Sequence, residues 1–582
     1  MPAVASYSPT GNACIDGVLG DYKWAVSSFT YSFPTSGSYY GASYGSGENI
    51  TGFGAFNMTQ QAATRDALKM YASVANLSFA EIGETALQHA DLRFAMSDKP
   101  GTAWAYFPST SAEGGDAWFN KSSGSYNQPV KGNYAYLTVV HEIGHSLGLE
   151  HAHEHFVMPQ DRDSIEYTVM SYRSYAGAST TSGYVNETWG YAQSLMMYDI
   201  AALQHMYGAN YTTNSGNTTY SWNPATGETV INGIGQGAPG GNKILLTVWD
   251  GGGTDTYDFS NYMSDLEVDL QPGQWTTTSA TQLAKLHWDG SMVAAGTIAN
   301  ALLSKGDTRS LIENAVGGSG NDTITGNEAA NALTGGAGND RLTGGKGNDV
   351  LNGGVGDDTA VLSGQRANYS ITKLADGSVQ VADLRSGTPD GSDTVWGVEW
   401  FQFVDKTYSL AELQTDPVAA SLASSDPGLQ NLSLTGTNSG NSLYGQGGND
   451  KLDGRGGNDR LYGSAGNDKL IGGIGKDVLV GGDGADVFDF NSIKETLPAA
   501  RDTIKDFVRG ADHIDLRSID ANSLVSGNQA FSFIGKSEFS GKAGQLKFSS
   551  GVLSGDINGD TTADFQIYIS GVSRLSKGDF YL

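Results

Sequence analysis

Three histidines lie within the segment from His141 to His151, at spacings of four and six residues, and Glu142 follows the first of them. On a helix, residues i and i+4 lie on one face, so His141 and His145 can bind one metal ion. Gly148 can adopt the left-handed backbone conformation that ends a helix, and the chain can then turn and bring His151 to the same ion. Three protein ligands leave a coordination position open, as in catalytic rather than structural zinc sites. Glu142 is then placed to act as general base toward a zinc-bound water.

The elements that must position these residues lie in the first part of the chain. A helix is predicted near 59–76, because apolar residues recur there at helical spacing. A second helix carries the first two histidines, and a third is predicted near 191–207, ending at Gly208. Strand-like runs lie at 29–33 and 91–96.

The full motif, HExxHxxGxxH, resembles that of the metzincin metalloproteases. A methionine turn, the second metzincin feature, is matched by TVMSY, where Met170 is the methionine. GNACIDG, TYSFP, AWAYFP, KGNYAYLTVVHEIGH and DIAALQHMYGANY are similar to segments of the serralysin group of bacterial zinc metalloproteases. The resemblance implies that Tyr172 is a retractable zinc ligand which, with zinc, stabilises the oxyanion of the transition state. It implies one catalytic zinc ion, held by His141, His145, His151 and Tyr172, with Glu142 and Tyr172 as catalytic residues.

The resemblance also indicates how substrate binds. In the serralysin group a protein or peptide substrate lies extended against an edge strand, and the matching segment is AWAYFP at 103–108. Backbone pairing would supply much of the binding, which favours a broad preference among unfolded or flexible proteins. The loop between His151 and Met170 is shorter than in typical serralysins, which bears on the shape of the primed side of the cleft. His153 and His155 are expected in a solvated loop rather than as further ligands.

Nine-residue repeats follow in two blocks, five repeats from Gly317 to Val361 and six from Gly436 to Asp489. Each approximates GGxGxDxUx, where U is apolar. The glycines allow tight turns with exposed carbonyls, the aspartate adds a charged oxygen, and the apolar residue points into a thin core. Hard oxygen ligands at flexible turns suit Ca²⁺. The pattern resembles the RTX repeat, which forms a parallel β-roll.

Several structural calcium ions are therefore expected. The predicted ligands in the repeats are Gly318, Gly320, Asp322, Gly336, Gly338, Asp340, Gly345, Gly347, Asp349, Gly354, Gly356, Asp358, Asp450, Asp459, Asp468, Asp477 and Asp486. Asn331 and Asn441 replace the aspartate in two repeats, which are predicted to be capping turns or weakened sites. By resemblance, two sites precede the repeats, one with the ligands Asn214, Gly216, Thr218, Asp250, Gly252, Gly253 and Asp255, the other with Leu311 and Glu313.

The composition of the chain limits which partners and which cellular compartment are expected. The net charge of −28 argues against nucleic acid and anionic membrane surfaces as partners. No apolar run predicts a transmembrane helix, and the N-terminus does not read as a signal peptide. Cys14 is the one cysteine, so no internal disulfide forms; it is expected to be an inert thiol, with a latency role as the less favoured alternative. Without calcium the repeat carboxylates repel, so the repeats are expected to fold only outside the cell.

Such proteins resemble substrates of the type I secretion apparatus, whose signal is C-terminal, and the terminal KGDFYL fits that pattern. The predicted protein is a monomeric, secreted, calcium-stabilised zinc metalloendopeptidase, with a proteinaceous inhibitor as a candidate partner. The alternative is a cell-surface-associated RTX protein whose β-roll and inserted module mediate attachment, with the protease as a processing accessory. Recovery of the protein free in the medium or bound to cells distinguishes the two.

The predicted fold is multidomain α+β, with a metzincin catalytic domain of twisted sheet plus helices, then an all-β parallel β-roll split by a small β module. The predicted domains are the zinc metalloprotease domain (1–210), a β-rich calcium-binding connector (211–316), the first β-roll block (317–362), the inserted β module and linker (363–430), the second block (431–490) and a C-terminal β domain with the secretion signal (491–582).

Overall fold

The computed structural model describes residues 2–41, 44–374, 377–385, 387, 389–415, 431–438, 440–445 and 448–582. The chain divides into two compact units, Met1–Tyr369 with Lys373–Leu410, and Ser370–Thr372 with Ala411–Leu582. Both contain many strands and few helices, in agreement with the mixed α and β content expected from the sequence. The predicted linker at 416–430 lies outside the described residues. Within the described part of the chain, no helix is long and apolar enough to span a bilayer.

The three longer helices lie in the first unit. Met58–Val74 confirms the first predicted helix and begins at a capping box between Asn57 and Gln60. Tyr134–Leu147, which we call the active-site helix, carries His141 and His145 and ends at Gly148. The third helix is Met197–Tyr207. Short helices span Ala13–Asp16 and Leu410–Thr415.

The predicted start of the third helix near residue 191 is wrong. Helix begins only after Met196, whose backbone N–H donates to the side chain of Asp199 at 2.8 Å. That carboxylate satisfies a donor which the first turn of a helix leaves free, so it fixes the helix start. The apolar residues just before it, including Tyr191, Ala192 and Leu195, are buried in irregular backbone rather than on a helical face.

A five-stranded sheet lies against the active-site helix. Its edge strand, Ala103–Ala105, pairs antiparallel with Ala117–Asn120, whereas the other neighbours are parallel. The edge strand packs against the active-site helix, which places it beside the histidines. The sheet order is Ser78–Glu81, Ser28–Ser32, Leu92–Ser97, Ala117–Asn120, Ala103–Ala105.

One hydrophobic core joins the catalytic region to the segment that follows it. Leu195 and Met196 pack in the same buried cluster as Leu245, Trp249 and Ala284. The predicted boundary at residue 210 therefore does not separate two cores. Two small sheets accompany this region: Val4–Ala5 with Lys23–Trp24, and Leu246–Val248, Ile298–Asn300, Trp275–Thr276.

The first repeat block winds into two parallel sheets with a register of 18 residues. Ile324 pairs with Leu342 in one sheet, and Leu333 pairs with Leu351 in the other. These apolar residues are at most 1% exposed, as the repeat pattern predicts. One sheet runs Glu267–Asp269, Thr323–Thr325, Arg341–Thr343, Thr359–Val361, Trp400–Gln402, Thr407–Ser409. The other includes, in order, Ile234–Gly235, Thr229–Ile231, Thr219–Trp222, Thr256–Asp258, Asn314–Val316, Ala332–Ala337, Val350–Val355, Ser392–Trp396, Val379–Asp383, and a further strand spans Tyr369–Lys373.

The two sheets do not stop at residue 362. Ser392–Trp396 pairs in parallel with the strand that contains Leu351, and Trp400–Gln402 pairs in parallel with Thr359–Val361. Both strands belong to the segment expected to form a separate inserted module. Part of that module therefore extends the sheets of the first block.

The second unit repeats the arrangement. Leu452 pairs with Leu470 in one sheet and Leu461 with Leu479 in the other, again 18 residues apart. One sheet runs Ser433–Thr435, Lys451–Asp453, Lys469–Ile471, Val487–Asp489, His513–Asp515, Phe580–Tyr581. The other runs Ser442–Tyr444, Arg460–Ala465, Val478–Asp483, Thr503–Ile504, Phe565–Ile569, Val552–Asp556, Gln545–Ser549, Ser532–Phe533.

The thin core of the first block gives a direct test of this packing. Leu351 is 0% exposed, whereas the preceding Val350 is 45% exposed. We expect Leu351→Ala to lower the free energy of unfolding by about 2–5 kcal/mol, because it opens a cavity. Val350→Ala is expected to change it by about 0.5 kcal/mol or less. Urea denaturation in saturating calcium measures both, and equal effects of the two substitutions would contradict the assigned faces.

Candidate active site and calcium sites

The three predicted histidine ligands meet at one point. The Nε2 atoms lie 3.1 Å apart for His141 and His145, 3.3 Å for His141 and His151, and 2.9 Å for His145 and His151. Two nitrogens, each about 2.0–2.1 Å from a tetrahedral zinc ion, lie roughly 3.3–3.4 Å apart. The triangle therefore fits a zinc ion after a small expansion. The same three residues form a candidate metal cluster by ligand-atom distance.

The opposite ring nitrogens fix which nitrogen faces the metal position. His141 Nδ1 lies 2.8 Å from the carbonyl oxygen of Val169, and His145 Nδ1 lies 2.8 Å from that of Leu149. A carbonyl only accepts, so each Nδ1 carries the proton and each Nε2 presents its lone pair. Burial lowers the pKa of His141 to about 3 and that of His151 to about 4, with a further contribution from neighbouring histidines. The rings are therefore neutral, as metal binding requires.

Gly148 turns the chain as predicted. It has a φ of 102°, and the N–H of Leu149 donates to the carbonyl oxygen of Gly144 at 2.8 Å, as in a Schellman motif. A Cβ at Gly148 would lie 2.6 Å from the carbonyl oxygen of Tyr22, so any other residue would collide as well as strain the backbone. The turn carries the chain three residues further to His151.

Met170 lies beneath the histidines in a fully buried turn. Its sulfur is close enough to the active-site helix that a Cβ on Gly144 would lie 2.6 Å from it. Asp199 holds the turn: its carboxylate accepts from the Thr168 hydroxyl at 2.5 Å and from the Val169 N–H at 2.8 Å. Because the Val169 carbonyl in turn orients His141, Asp199 positions a metal ligand that it does not touch. Sequence reasoning missed Asp199.

Glu142 has the surroundings of a general base. The residue is 4% exposed, and its Oε2 is buried without a hydrogen-bond partner. Burial raises the pKa of Glu142 to about 8. A nearby cation would favour the ionised form and lower that pKa again. A buried carboxylate oxygen that no protein group satisfies is available to a ligand or a reacting water.

Tyr172 lies over the histidines on a firmly held loop. Its ring centroid is 4.3 Å from that of His151 and 5.7 Å from that of His141. Both neighbours of Tyr172 bond to one buried carboxylate, since Ser171 and Arg173 donate to Asp163 at 2.5 and 2.7 Å. The tyrosine itself is 36% exposed, so its backbone is anchored while its ring has room to turn.

The other singled-out residues lie around this site or away from it. His153 stacks on His151 and Tyr172 and has a mostly buried side chain, so it lines the cleft, whereas His155 is more exposed and pairs with Asp21. Cys14 is a partly buried free thiol in the first short helix.

A cavity of about 430 Å³ opens beside Glu142. Its walls come from the active-site helix, the segment 102–103 at the edge strand, and the loop after Tyr172, and they include the aromatic rings of Tyr134, Tyr184 and Tyr191. The half-buried edge strand and this cavity both adjoin the active-site helix.

The predicted calcium loop before the repeats comes together from two distant segments. Asp255 accepts from the Thr218 N–H at 2.8 Å, and Glu313 accepts from the Asp255 N–H at 2.7 Å. Burial raises the pKa of Asp250, Asp255 and Glu313, and repulsion from the Asp250 carboxylate adds to the rise at Asp255 and Glu313. Asp255 Oδ2 is buried without a partner, so one oxygen of the cluster is not satisfied by any protein donor. The surrounding turns contain Asn214, Gly216, Gly252 and Gly253, and all of these except Gly216 have positive φ. Leu311 is buried and lies two residues before Glu313 in the sequence.

The repeat aspartates form a ladder with one oxygen left over. Asp340 Oδ1, for example, accepts from the N–H of Asp322, 18 residues earlier, at 2.7 Å. The second carboxylate oxygen is buried and has no partner at Asp340, Asp349, Asp358, Asp450, Asp459, Asp468, Asp477 and Asp486. An unpartnered buried carboxylate oxygen is costly, and a cation in each turn would relieve the cost.

Three of the repeats have a hydrogen bond that the other repeats lack. At Asp322, Asn331 and Asn441 a side-chain oxygen accepts from the backbone N–H four residues earlier, at 2.6 to 2.8 Å. That N–H is a hydrogen-bond partner for the side-chain oxygen at position six, and the equivalent oxygen has no partner in the repeats named above. The asparagine turns therefore fit the predicted role of caps, and Asp322 shares their geometry.

The repeat glycines are required by close stacking of backbones. Gly336, Gly338, Gly345, Gly347, Gly354 and Gly356 have positive φ, whereas Gly318 and Gly320 do not. A Cβ on Gly338 would lie 2.1 Å from the carbonyl oxygen of Gly320, one turn below. No other residue allows the turns to approach this closely.

Comparison with known proteins agrees with this geometry. The family model described as Peptidase M10 serralysin C terminal matches residues 209–407 and 442–582, and the one described as Matrixin matches residues 55–171. The chain belongs to the serralysin family of M10 peptidases.

Among its relatives, Metallopeptidase AprA of Pseudomonas marginalis is 35% identical over 317 residues, which are 52% of this chain and 60% of that protein. Serralysin of Photorhabdus sp. (strain Az29) is 33% identical over 343 residues, which are 55% of this chain and 64% of that protein. The chain thus spans less than two thirds of the length of these relatives. A match to the extracellular lipase LipA from Serratia marcescens covers 46% of this chain and 39% of that chain at 19% identity. Its TM-score of 0.18 is too low to indicate a common fold.

Asp199 offers a test of the positioning network. We expect Asp199→Ala to destabilise the protein by about 3 kcal/mol or more, because it leaves buried donors at Thr168, Val169 and Met196 unpaired. Zinc affinity is expected to fall about 10–100-fold as His141 loses its fixed orientation. Chemical denaturation and competition with a chromophoric chelator measure the two effects. Asp161→Ala, at a side chain that is 74% exposed, is the matched control, and zinc affinity equal to that control would contradict the role.

Proposed function

We propose that the protein is a secreted, calcium-stabilised zinc endopeptidase that hydrolyses peptide bonds within proteins. One observation carries the proposal: three neutral histidine Nε2 atoms converge within 3.3 Å, next to a buried glutamate oxygen without a partner. Membership of the serralysin family supports the same activity.

His141, His145 and His151 would hold the zinc ion through Nε2, with Tyr172 as the additional ligand that can withdraw. When bound, zinc polarises the scissile carbonyl and makes water a stronger acid. The ligand set fits this role, because three neutral imidazoles leave the net charge of the ion uncompensated and a coordination position open.

Glu142 takes a proton from the attacking water at a carboxylate oxygen and then delivers it to the leaving amine. Its burial excludes other proton donors and keeps the carboxylate within the site. Tyr172 donates its phenol hydrogen to the oxyanion that develops on the carbonyl oxygen as water adds to the carbonyl carbon. The bonds from Ser171 and Arg173 to Asp163 limit its backbone motion, so the swing of the ring is the main freedom left.

Substrate recognition combines the edge strand with the cavity beside it. The free edge of Ala103–Ala105 offers backbone N–H and C=O groups to an extended peptide, since its other edge pairs with Ala117–Asn120. The cavity lined by Tyr134, Tyr184 and Tyr191 accepts one side chain. Main-chain pairing with a single pocket supports action on flexible segments of many proteins.

Calcium is proposed to fold the repeat region outside the cell. The net charge of −28 and the row of buried, unpartnered aspartate oxygens make these turns unfavourable without cations. Export through the type I apparatus as a monomer belongs to the same proposal. Attachment of the protein to the cell surface remains a prediction, as does its binding to a proteinaceous inhibitor.

Removing the proposed base tests the mechanism. We expect Glu142→Ala to bind zinc like the wild type and to lose about 100-fold or more of its kcat on casein. Glu113→Ala, at a glutamate outside the site, is expected to retain full activity, and a zinc chelator should abolish the wild-type activity. Undiminished cleavage by Glu142→Ala with full zinc content would refute the assigned mechanism.

Removing calcium tests the proposal that calcium folds the repeat region. We expect EGTA to raise amide hydrogen exchange in the repeat blocks, 317–361 and 448–489, before the active-site helix is affected, because the carboxylates then repel. Calcium is expected to restore protection, whereas the same concentration of Mg²⁺ is not, since it demands a smaller octahedral shell. A far-UV circular dichroism spectrum and an exchange pattern indifferent to EGTA would refute it.

A further inference from the structure

The first repeat block continues where its nine-residue pattern ends. After Val361 the next strands of the two sheets of the first block are Ser392–Trp396 and Trp400–Gln402. In sequence these strands lie within GSDTVW and GVEWFQ, at 391–396 and 397–402. Both segments follow the pattern glycine, x, acid, x, apolar, x, where x is any residue. This pattern is the same as positions four to nine of the nine-residue repeat. The segment thus holds two shortened repeats that lack the initial GGx.

The backbones of these shortened repeats stack as in the full ones. A Cβ on Gly391 would lie 1.7 Å from the carbonyl oxygen of Gly347, just as a Cβ on Gly356 would lie 1.7 Å from that of Gly338. Ser392 donates its N–H to Asn348 Oδ1 at 2.9 Å, which matches the bond between successive full turns from Asn339 to Asn321 at 2.8 Å. The chain leaves the repeat after Val361 and returns to the same register at Gly391.

The acids of the shortened repeats take the place of the next aspartates in the ladder. Asp349 donates its N–H to Asp393 Oδ1 at 2.9 Å, and Asp358 donates its N–H to Glu399 Oε2 at 2.9 Å. Within the full repeats the corresponding bond joins Asp340 to Asp358 at 2.8 Å. The carboxylates of Asp393 and Glu399 therefore lie on the last two turns as ladder carboxylates do.

These turns also contain oxygens that lack a partner. Asp349 and Asp358 are at most 1% exposed, and the Oδ2 atom of each is buried without a hydrogen bond. Asp393 is 3% exposed. In the described part of the chain, Arg385 pairs with Asp383 and Asp390, whereas neither Asp393 nor Glu399 forms an ion pair with lysine or arginine. Two buried or half-buried carboxylates per turn thus face each other without a cation from the protein.

We propose that Asp393 and Glu399 complete two calcium sites at the end of the first block, one with Asp349 and one with Asp358. Calcium is the cation that suits this donor set, because the ligands are carboxylate and carbonyl oxygens on irregular turns. The inference rests on the proposed binding of calcium by the repeats. Its consequence is that residues 391–402 form a calcium-dependent end of the first block and do not fold independently of calcium.

Calcium counting on the full-length protein tests the inference. We expect Asp393→Asn to bind one calcium ion fewer than the wild type in equilibrium dialysis with atomic absorption, because the amide can still accept the Asp349 N–H but brings no charge. Glu399→Gln is expected to lose one ion in the other ladder. In both variants, calcium-dependent protection of residues 391–402 from hydrogen exchange should fall. Asp357→Asn removes an equal charge from an exposed neighbour and is expected to bind as many ions as the wild type.

The outcomes separate the two levels of the proposal. Wild-type calcium stoichiometry and protection in both variants would overturn the two sites while leaving calcium binding by the repeats intact. Loss of an ion in Asp357→Asn as well would also overturn them, since the effect would then be one of net charge. Absence of calcium binding by the wild type would instead refute the calcium part of the proposed function. Should one variant fail to fold, the other tests its own ladder.

Discussion

A carboxylate removed from water needs a partner for each of its oxygens, and this requirement explains much of the structure. Asp199 is fully buried, and both its oxygens accept hydrogen bonds from protein donors, although burial still raises its pKa to about 7. Glu142 is buried with one oxygen left free. The repeat aspartates use one oxygen on the next turn and leave the other free. The same physical cost gives the first carboxylate a structural role, and it leaves the second and the others with an oxygen free for the roles of base and calcium ligand proposed for them.

At the candidate active site, structural carboxylates support the predicted zinc ligands. Asp199 holds the turn whose carbonyl orients His141, and Asp163 holds the loop that carries Tyr172. Neither lies among the three histidines or touches the position of the metal. Trp24 and Tyr207 donate to carbonyls in the last turn of the active-site helix, those of Ser146 and Leu147, and Tyr71 donates to the carbonyl of Val140 further inside it. The site is rigid because its backbone groups are paired, which leaves the ring of Tyr172 as the part with freedom to move.

The repeat region follows from a different use of the backbone. Each turn stacks on the one below so closely that a Cβ at the contact would overlap a carbonyl oxygen. Glycine is therefore obligatory at these positions, and the side-chain core shrinks to one apolar residue per turn. So thin a core provides little hydrophobic stabilisation, and the cations proposed for the unpartnered oxygens would supply the rest. The two shortened repeats obey the same rule although the nine-residue period has been lost.

The sequence by itself determined what depends on local spacing. The three histidines at i, i+4 and i+10, the end of the helix at Gly148 and the buried eighth residue of each repeat follow from helical or strand geometry and from the freedom of glycine. The edge strand, Ala103–Ala105 in the structure, was indicated by the resemblance to the serralysin group. Only the tertiary structure decided what depends on contacts between distant segments. It brought Asp199 to a turn 30 residues away, placed the start of the third helix, joined the catalytic region and the connector in one core, and returned Asp393 and Glu399 to the ladder after 44 and 41 residues. Local sequence cannot specify such pairings, because each depends on which backbone donors the folded chain leaves unsatisfied.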